Sequence, residues 1–152
     1  MKAISIKQPW AHIIASGIKT VENRAWYSEH RGDLLICAGK SREDLERDID
    51  YLQKAHGILV NPEKLVFGQA LAVAKMIGCT KSPTEKIDQY WHEHGKFAWI
   101  LRQIRQIDPF PVRGKLMVFD VPFSWAEYPE QIREPLPDAL ELDSRIRGSR
   151  WP

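Results

Sequence analysis

Cysteine is scarce in this chain of 152 residues, with Cys37 and Cys79 its only two. Each stands inside an apolar stretch, so they read as buried free thiols of a reducing compartment and not as a disulfide scaffold. Long apolar runs are missing as well. The longest lies near residues 70–74, far short of the roughly 20 residues a helix needs to cross a bilayer. No apolar core follows Met1-Lys2-Ala3-Ile4-Ser5, as a signal peptide would require. Neither charge sign dominates: 22 Lys+Arg face 20 Asp+Glu, a net +2. That excludes wrapping of long duplexes by bulk charge, so any hold on nucleic acid must come from a local patch. These absences predict a cytoplasmic protein that does not enter the membrane. The length suits one compact domain, and no repeat or second domain is visible.

Several chemical constellations are absent too. Gly17-Ile18-Lys19-Thr20 contains a G-x-K-T, but the earlier glycine of a phosphate loop is missing and a helix precedes it instead of following. The five histidines and two cysteines show no C-x-x-C spacing. His92 and His94 lie two apart on a predicted helix, hence on different faces. No metal and no cofactor is therefore expected. No nucleophile-elbow pattern supports a Ser–His–Asp triad.

What is there alternates between strand and helix. Ala3-Ile4-Ser5-Ile6-Lys7 has the period of a strand, and Pro9 is placed to open a short helix that Gly17 ends, with Trp10, Ile13 and Ile14 on one face. Residues 19–24 read as a strand, Gly32-Asp33 as a turn, and residues 34–38 as a continuous apolar strand at the centre of a sheet. Ser41 is the expected cap of a helix lined by Leu45, Ile49 and Leu52 and closed by Gly57. Residues 65–77 predict a long strand whose Gly68, Ala70, Ala72 and Ala74 allow close approach to one face. Ser82-Pro83-Thr84-Glu85 predicts a capped helix start and Gly95 its end. Residues 97–107 return to strand, Asp108-Pro109-Phe110-Pro111 breaks it, and residues 116–121 give a last strand. Beyond Pro122, Pro129, Pro135 and Pro137 divide the chain into turns with a helical turn or two. Acidic residues there give way to Arg145, Arg147 and Arg150. Short strands with interposed helices predict an α+β fold, a small mixed barrel with peripheral helices. Residues 3–121 form its core, and 122–152 are an extension packed on it.

One segment concentrates functional groups: Ser5-Ile6-Lys7-Gln8-Pro9-Trp10-Ala11, then Gly17-Ile18-Lys19-Thr20-Val21-Glu22-Asn23-Arg24. It resembles the ASCH domain family, whose pattern is S-x-[KR]-Q-P-[WY]-A followed by G-x-K-x-x-E-x-R. Phe97-Ala98-Trp99-Ile100-Leu101 and Pro111-Val112-Arg113-Gly114 are similar to that family's later strand and loop. The resemblance implies a PUA-like barrel with a cleft that receives single-stranded RNA or a modified nucleoside, with ribonuclease action among the family's activities.

In physical terms the motif suits a polar ligand. Lys19 and Arg24 donate, Glu22 accepts, and Trp10 can stack, which matches a nucleobase or a phosphate. In a regular strand Glu22 and Arg24 share a face while Lys19 points away, so Lys19 joins them only from the loop-to-strand transition. Two readings of Glu22 and Arg24 stand: an ion pair that organises the barrel, or a ligand site, which the resemblance favours. Trp10 is likewise open between core and stacking platform, and Lys40 between solvated surface and the mouth of the cleft. Within residues 96–115, Lys96, Arg102, Arg105, Arg113 and Lys115 face a single acid, Asp108. Arg102 and Arg105 fall on opposite strand faces, so only part of this cluster can form one patch.

The expected binding set is Trp10, Lys19, Glu22, Arg24, Lys40 and Arg113. If RNA is cleaved without metal, Lys19 would stabilise charge at phosphorus and Glu22 would be the general base. A second reading is an N4-acylcytidine amidohydrolase, an activity also found among ASCH-like proteins. Lys19 matches the lysine of that pattern, but the threonine three residues on is Glu22 here. A third is an adaptor whose cleft docks a protein partner.

Overall fold

A long antiparallel hairpin is the spine of the molecule. The computed structural model describes residues 1–125 and 139–142, and in it β5 (Gln69–Thr80) pairs with β6 (Phe97–Pro111). Around them β1 (Lys2–Ile6), β2 (Val21–Arg24), β3 (Gly32–Ala38) and β7 (Val118–Asp120) complete a six-stranded sheet in the order β2-β6-β5-β3-β1-β7. β1 and β3 are parallel and the other neighbours antiparallel. The sheet curls into a half-barrel accompanied by three helices, the small α+β barrel that the sequence predicts. A separate ribbon pairs β4 (Ile58–Val60) with β8 (Leu140–Leu142).

Strand alternation decides which side chains go to which core. Ile4, Ile6, Leu34 and Ile36 join Met76 and Trp99 on one face. Ala3, Leu35 and Cys37 join Val73, Ile107 and Phe119 on the other. Both faces of β3 are thus buried, which is why residues 34–38 read as an unbroken apolar run. The short helix α1 (Trp10–Ala15) lays Ala11, Ile14 and Ala15 against the first face. A third cluster joins α1 and β2 to the remaining helices, α2 (Leu45–His56) and α3 (Lys86–Trp91), through Ile13, Val21, Leu52 and Trp91. No helix among the described residues is long and apolar enough to cross a membrane.

Several local expectations are corrected. Pro9 stands ahead of α1, not in its first position, after a cis Gln8–Pro9 bond. The first turn is served by Gln8, whose Oε1 accepts from the His12 amide at 2.9 Å while its Nε2 donates to the Val66 carbonyl at 2.7 Å. Gly32-Asp33 is not a turn, because the ladder to Met76 and Lys75 already begins there. Ser41 does not cap α2: its hydroxyl accepts from the Glu43 amide, and Asp44, in a left-handed conformation (φ 62), intervenes before Leu45. The box at residues 82–85 does not start α3 either, since the Ser82 amide is taken by Thr80 Oγ1. That helix ends at Trp91, so His92 and His94 leave it before Gly95, and His92 Nε2 lies 2.7 Å from the Lys96 carbonyl.

β6 is not broken by its two prolines. The ladder steps from Ala72–Gln106 to Ala70–Phe110, and this irregularity absorbs Pro109, which has no N–H to offer a partner. The strand expected over 65–77 is displaced to Gln69–Thr80, after a 3-10 turn at Pro62–Lys64. The last strand contracts to Val118–Asp120 and leaves Leu116 93% exposed. Cys79 is half-buried, whereas Cys37 is buried. In the extension, Leu140–Leu142 is a strand, and Ala139 is buried against Leu45 and Leu65. Pro129, Pro135, Pro137, Arg145, Arg147 and Arg150 lie outside the described residues.

Candidate nucleic-acid interface

The sequence motif folds into two hollows, not one. Lys19 and Thr20 occupy the approach to β2, and Glu22 and Arg24 sit on the strand itself. Trp10, Lys19 and Glu22 line a cavity of about 660 Å³. Arg24, Lys40 and Arg113 line another of about 630 Å³. The six expected residues are therefore divided three and three.

In the first hollow Lys19 is almost wholly buried. Its Nζ donates to the Val21 carbonyl and stands 5.7 Å from the centre of the Trp10 ring. Desolvation pushes its pKa down, opposed by Glu22 and Glu93 and assisted by Arg24. Glu22 is 9% exposed, and its Oε2 has no hydrogen-bond partner among the described residues. Leaving a carboxylate oxygen buried and unpaired is costly, so the arrangement invites a donor from outside. Trp10 is half-buried and holds Asp48 Oδ2 through its Nε1 at 3.0 Å, so it is part core and part wall. Opposite stand Tyr51, His56, Tyr90 and Trp91 from α2 and α3. Tyr51 is 6.3 Å from Trp10 and 5.4 Å from His56, and His56 is 4.6 Å from Trp91, centre to centre.

The second hollow has another character. Lys7, Arg24, Lys40, Arg113 and Lys115 line it, and none of the residues described there is acidic. Lys7 meets Glu43 and Asp44 at 3.6 and 3.8 Å on the exposed side. Gly68 lets Lys40 lie across the floor: a Cβ there would come within 2.8 Å of Lys40 Cγ. Arg24 Nη2 donates to the Ser5 carbonyl at 2.9 Å. The two hollows meet at Glu22 and Arg24, whose Oε1 and Nε are 3.6 Å apart.

A buried clasp fixes the approach to β2. Asp88, 2% exposed, accepts from Arg102 Nη1 and Nη2 at 2.9 and 2.6 Å and from Thr20 Oγ1 at 2.7 Å. Arg105 instead turns to Asp33 at 2.9 Å and lies 4.2 Å from the Trp125 ring. Neither arginine joins the cationic hollow.

Sequence reasoning missed the aromatic wall of the first hollow. Tyr51, His56, Tyr90 and Trp91 meet only because α2 docks beside α3, and no spacing within either segment signals that. Lys7 was signalled, since it belongs to the Ser5-x-Lys7-Gln8-Pro9 pattern.

The fold is a small α+β half-barrel, with a cationic hollow beside a polar-aromatic one. The ASCH domain family matches residues 4–135, and the chain belongs to that family. Membership supports a general role in RNA binding. The chain is 30% identical over 120 residues to activating signal cointegrator 1 of Mus musculus and 28% identical over the same length to that of Homo sapiens. Each match covers 73% of this chain and 20% of the relative. It thus spans about one fifth of the curated relatives it matches.

Proposed function

We propose that this chain binds single-stranded RNA and holds the sugar–phosphate backbone in the cationic hollow, through Arg24, Lys40 and Arg113 with Lys7 and Lys115 beside them. The observation that carries the reading is the convergence of five cations with no carboxylate among the described lining residues. Lys7 and Arg24 meet carboxylates outside the lining, whereas within it the cations face one another, and a strand of phosphates supplies anions to relieve that repulsion. Lys19 and Glu22 belong to the neighbouring hollow, and Lys19 is occupied by the Val21 carbonyl. This supports retention of the strand over its cleavage by that pair. Thr20 is tied to Asp88, which weighs against a threonine nucleophile and so against the amidohydrolase.

The test titrates a labelled 12-nucleotide RNA into the protein at several salt concentrations, then recovers the RNA for mass spectrometry. Intact RNA and affinity that falls steeply with salt are expected. Log affinity should lose about 0.7 of slope per phosphate contact removed, so K40A/R113A should flatten it by about 1.4. Shortened RNA would establish a nuclease, and free cytidine released from N4-acetylcytidine a hydrolase. An affinity indifferent to salt would sink the reading and point to a docked protein segment.

A further inference from the structure

Two large apolar side chains stand in the open at the rim of the cationic hollow. Leu116 is 93% exposed and Met117 59%, and both line that hollow beside Arg113 and Lys115. Single exposed apolar residues need no explanation. Two consecutive ones do, the first being the most exposed large hydrophobic among the described residues. Met117 also has a left-handed backbone (φ 59), which a long side chain adopts at a cost. Burial of neither side chain offsets that cost, so the tip is held out by its surroundings.

The loop is clamped at both ends. The Val112 amide donates to the Gly68 carbonyl at 3.0 Å, and Val118 already pairs with Ile4. Between them Gly114 lies so close to β1 that a Cβ there would come within 3.0 Å of Ser5 Oγ. The Ser5 carbonyl in turn accepts from Arg24 Nη2 at 2.9 Å. The apolar tip is thus fixed relative to a cation of the hollow. Its occupant must offer anions to the wall and an apolar surface to the rim. A bilayer offers both, but it is flat, whereas the Arg24 side chain is only 26% exposed and Lys40 lies across the floor. A single strand is narrow enough to lay phosphates inside while its bases project at the rim.

We infer that residues 113–117 form an apolar wedge: Leu116, backed by Met117, enters between two neighbouring bases of a bound strand and opens that step. Leucine and methionine are among the side chains that part base steps in this way. The strand itself comes from the RNA reading above, on which the wedge rests. Such a contact selects no sequence, since every base has an apolar face. It sets where along the strand the hollow takes hold.

The experiment binds the full chain to short RNAs carrying 2-aminopurine at each position in turn, a base whose fluorescence rises when its stacking is broken. Wild type should brighten at least one position. L116A should abolish that rise and weaken binding about fivefold with the salt slope unchanged, because no phosphate contact is removed. At 93% exposure the substitution does not touch the core, and L116I should keep the rise. K40A/R113A should flatten the salt slope instead. RNA retained with no brightening at any position, or brightening that L116A leaves intact, would overturn the wedge and leave the cationic hollow standing. No RNA binding at any salt would remove both. Sedimentation with phosphatidylserine vesicles that L116A abolishes, without brightening of any RNA, would assign the tip to a lipid surface and overturn the wedge.

Discussion

Glu22 and Arg24 are two residues apart on one face of β2, 3.6 Å from carboxylate to guanidinium, and each lines a different hollow. The ion pair is the partition between them. Glu22 keeps anionic character on the aromatic side, and Arg24 turns to the Ser5 carbonyl and the cationic side. The ion pair that the spacing suggests is present; a part for it in a ligand site belongs to the proposal above.

Lys19 should make stability depend on alkaline pH. Its folded pKa lies below the ordinary value of 10.5 because burial disfavours the charged form. Between the folded and unfolded values the unfolded chain binds more protons, so stability rises with pH in that window. Below the folded value the full burial penalty applies. Urea midpoints of wild type and K19M measured from pH 7 to pH 10.5 should show wild type gaining on the variant as pH rises. A gap that stays constant, or that moves the other way, would contradict the assignment.

Asp88→Ala should be severe. It removes the buried partner of both Arg102 and Thr20, and breaking a buried pair typically costs about 3–5 kcal/mol. Arg102 keeps 30% exposure and recovers some hydration, so a loss near the lower bound, about 3 kcal/mol, is expected in urea denaturation. A loss under about 1 kcal/mol would mean the clasp does not hold the approach to β2.

Gly68→Ala should act on stability and binding together. Gly68 has φ +66, and a Cβ would press on Lys40 Cγ at 2.8 Å. The left-handed conformation alone costs about 1 kcal/mol for alanine. Lys40 is flexible and will swing away from the floor of the cationic hollow. RNA affinity should fall a few-fold by anisotropy, and unchanged affinity would show that Lys40 does not contact the strand.

Cys37 should resist thiol reagents in the folded protein. It is buried, and desolvation pushes its pKa up to about 12, so almost no thiolate exists at pH 8. Native and urea-unfolded samples treated with iodoacetamide at that pH should differ, with Cys37 modified only in the unfolded one. Peptide mass spectrometry reads the result directly.

Periodicity was legible where local geometry dominates. The alternation in β1, the apolar run of β3 and the glycine ends of α1 and α2 all follow from it. It failed where a side chain met a distant partner. The Ser82 amide goes to Thr80 Oγ1 and α3 starts only after Glu85, and Gln8 replaces Pro9 as the support of α1 by reaching Val66. Pro109 survives in β6 because the ladder is irregular there, with β6 advancing four residues, Gln106 to Phe110, while β5 advances two, and no reading of residues 108–111 alone reveals that.

The sequence by itself determined the family, the half-barrel and the identity of the charged groups near β2, because motif and strand period are written in consecutive residues. Only the tertiary structure decided that these groups divide between two hollows, since the side chains completing each come from segments far apart in the chain. Lys40 and Arg113 reach Arg24, and Tyr51 and Trp91 reach Trp10, through the curl of the sheet and the docking of α2 and α3. Those are long-range contacts, and their geometry is set by packing and not by spacing.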